Sequence, residues 1–217
     1  MKLKNIITAT ALLFSSAAFA QENEPSTIFS GENNTFGGQI SLDLGGTKVN
    51  DMMFGEIGIS TGIIINHSFE TGIFGAGFMS EEVFDYYLND NYSFTGGYGG
   101  LYLRPILFAN YPVHLAVPLK FAAGGINYVR DAFEDDDDYW YHDGDRYNSE
   151  DSDGYCMFQP GLEVEFNFFK HFHLTAGVSY KMFTDIDLNY YSSGEPIGVK
   201  TDLDGLYYGA SLRFGIF

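Results

Sequence analysis

An eight-stranded antiparallel up-and-down transmembrane β-barrel is the all-β fold that the sequence predicts, and three observations predict it. Eight stretches alternate apolar and polar residues, their connections run alternately short and long, and an export-type leader precedes them. Closure is required, because an unpaired backbone N–H or C=O in hydrocarbon costs several kcal/mol.

The leader carries Lys2 and Lys4, an apolar run from Ile6 through Phe14, and the small-x-small sequence Ala18-Phe19-Ala20. Residues 1–20 therefore read as a signal peptide, 21–34 as a short periplasmic N-terminal segment, and 35–217 as the barrel domain. The apolar run falls short of the roughly 20 residues of a spanning helix. The residue directly after the expected cleavage site is Gln21 rather than a cysteine, so a lipid anchor is not expected. Losing Lys2 and Lys4 leaves 9 bases against 29 acids and moves the formal charge from -18 to -20. Such a field excludes nucleic acid as a partner. Cys156 is the single cysteine, so stability has to come from strand pairing and packing rather than from a disulfide.

Strands are expected near 36–45, 53–65, 69–79, 94–108, 113–129, 155–168, 171–183 and 205–216. The first carries Asp43 on its polar face. In the second, Ile57, Ile59, Thr61, Ile63 and Ile65 oppose Glu56, Gly58, Ser60 and Gly62. The third and fourth are Gly-rich, and Gly96-Gly97-Tyr98-Gly99-Gly100 suits tight curvature beside bulky neighbours. The fifth adds Gly124-Gly125 and contains Pro118, and the sixth contains Pro160; each proline lacks a ladder donor and suggests a local bulge. The sixth sets Phe158, Pro160, Leu162, Val164, Phe166 and Phe168 against Gln159, Gly161, Glu163, Glu165 and Asn167. The seventh alternates from Phe172 to Met182 against His171 to Lys181. In the eighth, Leu206, Tyr208, Ala210, Leu212, Phe214 and Ile216 share one face, and the terminal Phe217 falls on the opposite parity.

Three connections, Asn66-His67-Ser68, Ala109-Asn110-Tyr111-Pro112 and Phe169-Lys170, leave room only for tight antiparallel turns. The other four, Gly46 to Met52, Ser80 to Ser93, Arg130 to Gly154 and Thr184 to Asp204, are longer. Membrane barrels place short turns on the periplasmic side and long loops outside.

The polar face consists mainly of small residues with scattered charges of both signs, so the apolar face is assigned to lipid. Asp43, Glu56, Glu70, Glu163 and Glu165 then point into the lumen with Arg104, Lys120, Lys181 and Arg213, as an internal charge network. A soluble periplasmic barrel is the alternative and would invert the faces. Phe69, Phe108, Tyr111, Phe166, Phe168, Phe169 and Phe172 cluster at the short-turn ends, where an interfacial aromatic belt is expected.

The segments GEIGISTGIIIN (Gly55 to Asn66), GYGGLYL (Gly97 to Leu103), PGLEVEFNFF (Pro160 to Phe169) and GLYYGASLRFGIF (Gly205 to Phe217) resemble small outer-membrane β-barrel proteins of the OmpX and OmpA-transmembrane-domain type. The likeness covers 36–217 and is greatest to the uncharacterised versions common in Bacteroidetes. It implies a monomeric barrel in the outer membrane, in contact with outer-membrane lipid and, during biogenesis, with the barrel-assembly machinery that reads the aromatic C-terminus. None of these segments is a catalytic signature.

From Asp131 to Gly154 the chain carries eleven acids and one base, Arg146. Asp135, Asp136, Asp137, Asp138, Asp143 and Asp145 are candidate calcium ligands, since calcium takes six to eight oxygens. An EF-hand match fails, because the twelfth position from Ser149 is Pro160. A solvated anionic loop is the first reading and calcium the second; no other cofactor is expected. Trp140, Tyr139, Tyr141 and Tyr147 give the same tip aromatic contact surface, which suits surface ions or an extracellular partner.

The five histidines form no nucleophile and base set. His67 lies in a short turn, His114 and His171 lie beside short turns, and His142 lies in the acidic loop. His173 and Thr175 share a face, but one aimed into the lumen, away from lipid substrate. A lipid-modifying enzyme is thus disfavoured. Eight strands enclose an interior just wide enough to be filled by side chains. The sequence therefore points to a non-enzymatic outer-membrane protein with a plugged interior, whose long loops serve envelope integrity or surface interaction. A narrow porin-like channel, or a small-ligand carrier with a cavity toward the long loops, is the alternative.

Overall fold

The computed structural model describes residues 35–49, 51–130, 149–197 and 203–216. Ten strands are present: β1 Phe36–Val49, β2 Met52–Ile65, β3 Phe69–Ser80, β4 Val83–Asp85, β5 Asp90–Leu107, β6 Val113–Ala116, β7 Leu119–Arg130, β8 Ser149–Phe169, β9 Phe172–Phe183 and β10 Gly205–Ile216. β6 and β7 together form one stave, and β4 is a short addition to the edge of β5. Eight staves remain, each antiparallel to its chain neighbours. β1 pairs with β10 from Gly38↔Ile216 to Thr47↔Tyr207, which closes the ring.

Closure leaves no unpaired edge, and side-chain parity decides which face meets lipid. Ile40, Leu42 and Leu44 on β1, Ile57, Ile59 and Ile63 on β2, Leu101 and Leu103 on β5, and Leu212 and Phe214 on β10 all point outward and are exposed. So wide an apolar girdle belongs against hydrocarbon rather than water. The inverted, soluble arrangement is ruled out, because Glu70, Arg104, Glu165, Lys181 and Arg213 are buried within the ring. A closed barrel with a lipid-facing girdle is the form taken by spanning proteins of the bacterial outer membrane, and the protein is of that kind.

The short turns fall where expected. Asn66 (φ 52°), His67 (φ 58°) and Phe108 (φ 63°) take the left-handed backbone that tight hairpins demand. The long side differs from expectation. Gly46 to Met52 is not a loop: β1 continues to Val49 and pairs through Val49↔Met52, which buries Val49, Met52 and Phe54. Within Ser80 to Ser93, β4 and the start of β5 form an additional hairpin. β8 begins at Ser149, so Glu150 to Gly154 belong to a strand, with Asp151↔Tyr128 and Asp153↔Ile126 in register. The candidate calcium ligands Asp135 to Asp138, Asp143 and Asp145, with His142, Trp140 and its flanking tyrosines, lie outside the described residues, as does Phe217.

Neither proline produces the expected bulge. Across Pro118 the register runs unshifted from Ala116↔Glu163 to Leu119↔Pro160, and across Pro160 from Phe158↔Met182 to Gly161↔Ser179. Each proline interrupts a ladder locally, at Val117–Pro118 between β6 and β7 and at Gln159–Pro160 on the β9 side, without shifting the register; Gly161 N–H still donates to Pro118 O at 2.8 Å. The irregularities sit at Tyr128/Val129 and Asn167/Phe169 instead, near strand ends.

Candidate functional site

The interior divides into a charged half toward the short turns and an aromatic half toward the long loops. In the charged half Arg104, 2% exposed, is the hub. Its Nη1 donates to Glu70 Oε2 at 2.9 Å, its Nε to Glu163 Oε2 at 2.8 Å, and its Nη2 to Glu165. One guanidinium thus meets three carboxylates, as its planar fork allows. Arg213 Nη2 pairs with Glu70 Oε1, and its Nη1 lies 3.8 Å from Glu163. Glu70 Oε1 also accepts from the Tyr102 hydroxyl at 2.5 Å and from Gln39 Nε2 at 2.6 Å. Glu165 Oε1 lies 3.2 Å from His114 Nε2 and 3.0 Å from His173 Nδ1, and His173 Nδ1 lies 2.5 Å from Asn167 Oδ1.

One tier higher, Lys181 Nζ pairs with Glu56, donates to the Tyr98 hydroxyl at 3.0 Å, and sits 4.3 Å from the Tyr207 ring centroid. Of the nine charged lumen candidates, seven are joined in these two groups. Asp43 and Lys120 face inward without an ion pair within 4 Å among the described residues. Asp43 accepts from Ser41 Oγ at 3.1 Å, and Lys120 Nζ lies 5.1 Å from the Phe74 ring centroid. Both border, with Glu163, a void of about 30 Å³. Parity put them inside, but no partner of opposite sign reaches them.

The aromatic half was not expected. Phe54, Phe74, Tyr98, Tyr102 and Phe94 share the inward parity with the charged residues and bury fully. Inward glycines make room for such rings: a Cβ on Gly96 would lie 2.5 Å from the Phe78 ring and 2.4 Å from Gly125 O. Above them Tyr92 stacks on Tyr128 at 4.8 Å, and Tyr155 packs edge-on against Phe183 at 5.0 Å. Ile186, Leu188, Ile197 and Leu203, all from the connection between β9 and β10, bury in the same cluster. The sequence signal was available in Met52 and Phe54, which lie on the parity of Glu56 and Ser60.

β8 ties this connection down. Asp153 Oδ2 accepts from Asp187 N–H, and Asp151 Oδ2 from Asn189 N–H, both at 2.7 Å. These two carboxylates, read from sequence as part of the anionic loop, act as acceptors for a neighbouring segment. Asp85 completes the joint: its Oδ2 accepts from the Tyr128 hydroxyl at 2.9 Å and the Tyr190 hydroxyl at 2.8 Å. Burial pushes the Asp85 carboxyl up. The two hydroxyls, with the backbone N–H groups of Leu88 and Tyr87, outweigh burial and hold it below its ordinary value. Outside this joint Tyr86 and Tyr191 are about nine-tenths exposed.

The larger polar cavity opens at the short-turn end, not toward the long loops. It measures about 510 Å³ and is bordered by Gln39, Glu70, Arg104, Glu165, His173 and Arg213, with Lys170 and Phe169 at its rim. No cluster of three or more His, Cys, Asp or Glu positioned to hold a metal ion occurs among the described residues.

No family model matches the chain, and no curated protein matches it. Among solved structures it is similar to Neisserial surface protein A, with 12% identity and a TM-score of 0.45 over 85% of this chain and 97% of that one. It is also similar to Ail, the attachment invasion locus protein of Yersinia pestis, solved with the heparin analogue sucrose octasulfate, at 13% identity and a TM-score of 0.42 over 85% and 97%. A third likeness is the translocator domain of autotransporter NalP from Neisseria meningitidis, at 10% identity and 0.34 over 98% and 94%. Likenesses of this strength carry no functional weight.

Proposed function

We propose that this outer-membrane barrel is a non-enzymatic, monomeric surface protein with a plugged interior, and that its long-loop end serves envelope integrity or contact with an extracellular partner. The observation that carries the reading is the burial of Ile186, Leu188, Ile197 and Leu203 among the inward aromatics, on top of an ion-paired lower half. A solute crossing the barrel would have to displace an apolar plug and then break charges that compensate one another. Exposed Tyr86, Tyr87 and Tyr191 beside these packed elements supply the kind of aromatic surface that anchors protein contacts. The acidic segment beyond β7 remains a calcium candidate within this reading.

Planar-bilayer recording tests the plug. The folded protein is expected to give no steady conductance. Steady conductance of the unaltered protein would support the narrow-channel alternative and sink the plug. Calorimetry with calcium tests the ion: saturable heats that vanish when Asp135 to Asp138 are replaced by Asn support it, and equal weak heats in both proteins reduce the segment to a solvated one.

A further inference from the structure

The cavity at the short-turn end is charge-balanced in a chain that is strongly acidic. Arg104, Lys170 and Arg213 border it against Glu70 and Glu165, together with His67, His114 and His173. The whole chain carries 29 acids against 11 bases. With Glu163 behind Arg104 at 2.8 Å, three bases meet three acids, so this concave site is neutral in a strongly acidic molecule, and an anion meets less repulsion there than over the acidic surface. Its volume, about 510 Å³, falls in the range of small-molecule sites.

The hydrogen-bonding capacity left in the cavity points the same way. Arg104 uses Nε, Nη1 and Nη2 on three carboxylates. Arg213 does not: its Nη2 bonds Glu70, while its Nη1 is 3.8 Å from Glu163, beyond hydrogen-bond reach. A guanidinium presents five N–H donors in a fixed fork that matches two oxygens of a carboxylate or phosphate. Beside it Gln39 is 6% exposed and gives Nε2 to Glu70 and Tyr102, leaving Oε1 buried without a partner among the described residues. That acceptor suits a hydroxyl or the protonated oxygen of an oxyanion ligand. Lys170, exposed in the turn between β8 and β9, adds a positive charge at the rim.

We propose that the short-turn cavity binds an oxyanion, a phosphate or carboxylate carried by a small periplasmic ligand or by a lipid headgroup, with Arg213 as its grip and Lys170 as the rim charge. The site goes beyond the surface role proposed above and lies at the other end of the barrel. It is independent of conductance, since a plugged barrel still presents this cavity to the periplasm.

The test follows arginine Nε–H resonances of the folded protein in phosphatidylcholine nanodiscs. Three probes are compared: inorganic phosphate, glycerol 3-phosphate, and nanodiscs doped with phosphatidylglycerol. A saturable shift of the Arg213 signal, identified by its loss in Arg213→Lys, is expected with at least one probe. Lys170→Glu should weaken the apparent affinity at least threefold, and the remaining arginine shifts should vanish in Arg213→Gln. A response to the soluble phosphates alone supports a periplasmic ligand, and one to phosphatidylglycerol alone supports a headgroup. Absence of a saturable shift with all three probes overturns the site, as does a response of equal affinity in Lys170→Glu. Lys170 is exposed in a turn, so that second variant decides the matter even where Arg213→Gln does not refold.

Discussion

Arg104 shows what a single side chain does inside this barrel. It bonds three carboxylates in a space where none is exposed by more than 17%. Replacing it with Met leaves those charges buried and uncompensated, which costs about 3–5 kcal/mol for a broken buried pair. Urea unfolding in lipid vesicles should register the loss as a lower midpoint, and an unchanged midpoint would contradict the hub. Glycines separate in the same way. A Cβ on Gly100 would lie 1.9 Å from Phe121 O, whereas one on outward Gly75 meets nothing closer than 3.8 Å. Gly100→Ala should therefore impair folding by more than 1 kcal/mol, an overpacking cost, and Gly75→Ala should fold as the parent does, both read from the heat-modifiable fraction on unboiled gels. At this scale the inward direction of Asp43, Glu56, Glu70 and the six other charges was legible, because a period of two is local. Their partners were not: Glu70 and Arg213 stand 143 residues apart and meet only once the ring has closed. Inward Phe54 and Tyr98 had no assigned face: Phe54 precedes the alternation that runs from Glu56, and Tyr98 lies in a Gly-rich stretch.

Among the elements, the joint at Asp85 is the one that pH addresses. Its carboxyl titrates lower in the folded protein than in the unfolded chain, so its contribution is complete above the unfolded value of about 3.9 and fades as pH falls through the folded value. Below that range the hydroxyls of Tyr128 and Tyr190 lose a charged acceptor. The connection between β9 and β10 is then expected to be cut faster by pepsin than at pH 5, and Asp85→Asn should show the faster cutting already at pH 5. Cutting rates that do not change with pH or with the substitution would show that the joint does not hold this connection. The eight staves were legible from alternation and from the three tight turns, whereas the short β4 was not. Strand ends on the long-loop side were not, because Gly46 to Val49 and Glu150 to Gly154 lack an apolar face and are held by pairing across the sheet. Pro118 and Pro160 misled for a related reason: a missing donor predicts a lost bond, and the register survives that loss.

For the whole molecule, closure decides the rest. β1 and β10 lie at opposite ends of the barrel sequence and exchange a ten-residue ladder from Gly38↔Ile216 to Thr47↔Tyr207. That ladder removes both edges and fixes which parity faces lipid. The central claim is this face assignment, since the proposed plug and the proposed oxyanion site both depend on it. Leu162 lies midway along β8, outward and 49% exposed, and its neighbour Glu163 points inward. The most direct measurement places a nitroxide label at Leu162→Cys, in a Cys156→Ser background reconstituted in vesicles, and compares its collision rates with oxygen and with a water-soluble nickel complex. The account predicts high oxygen and low nickel accessibility, the signature of a hydrocarbon environment; dominant collision with nickel would place that face in water and contradict it.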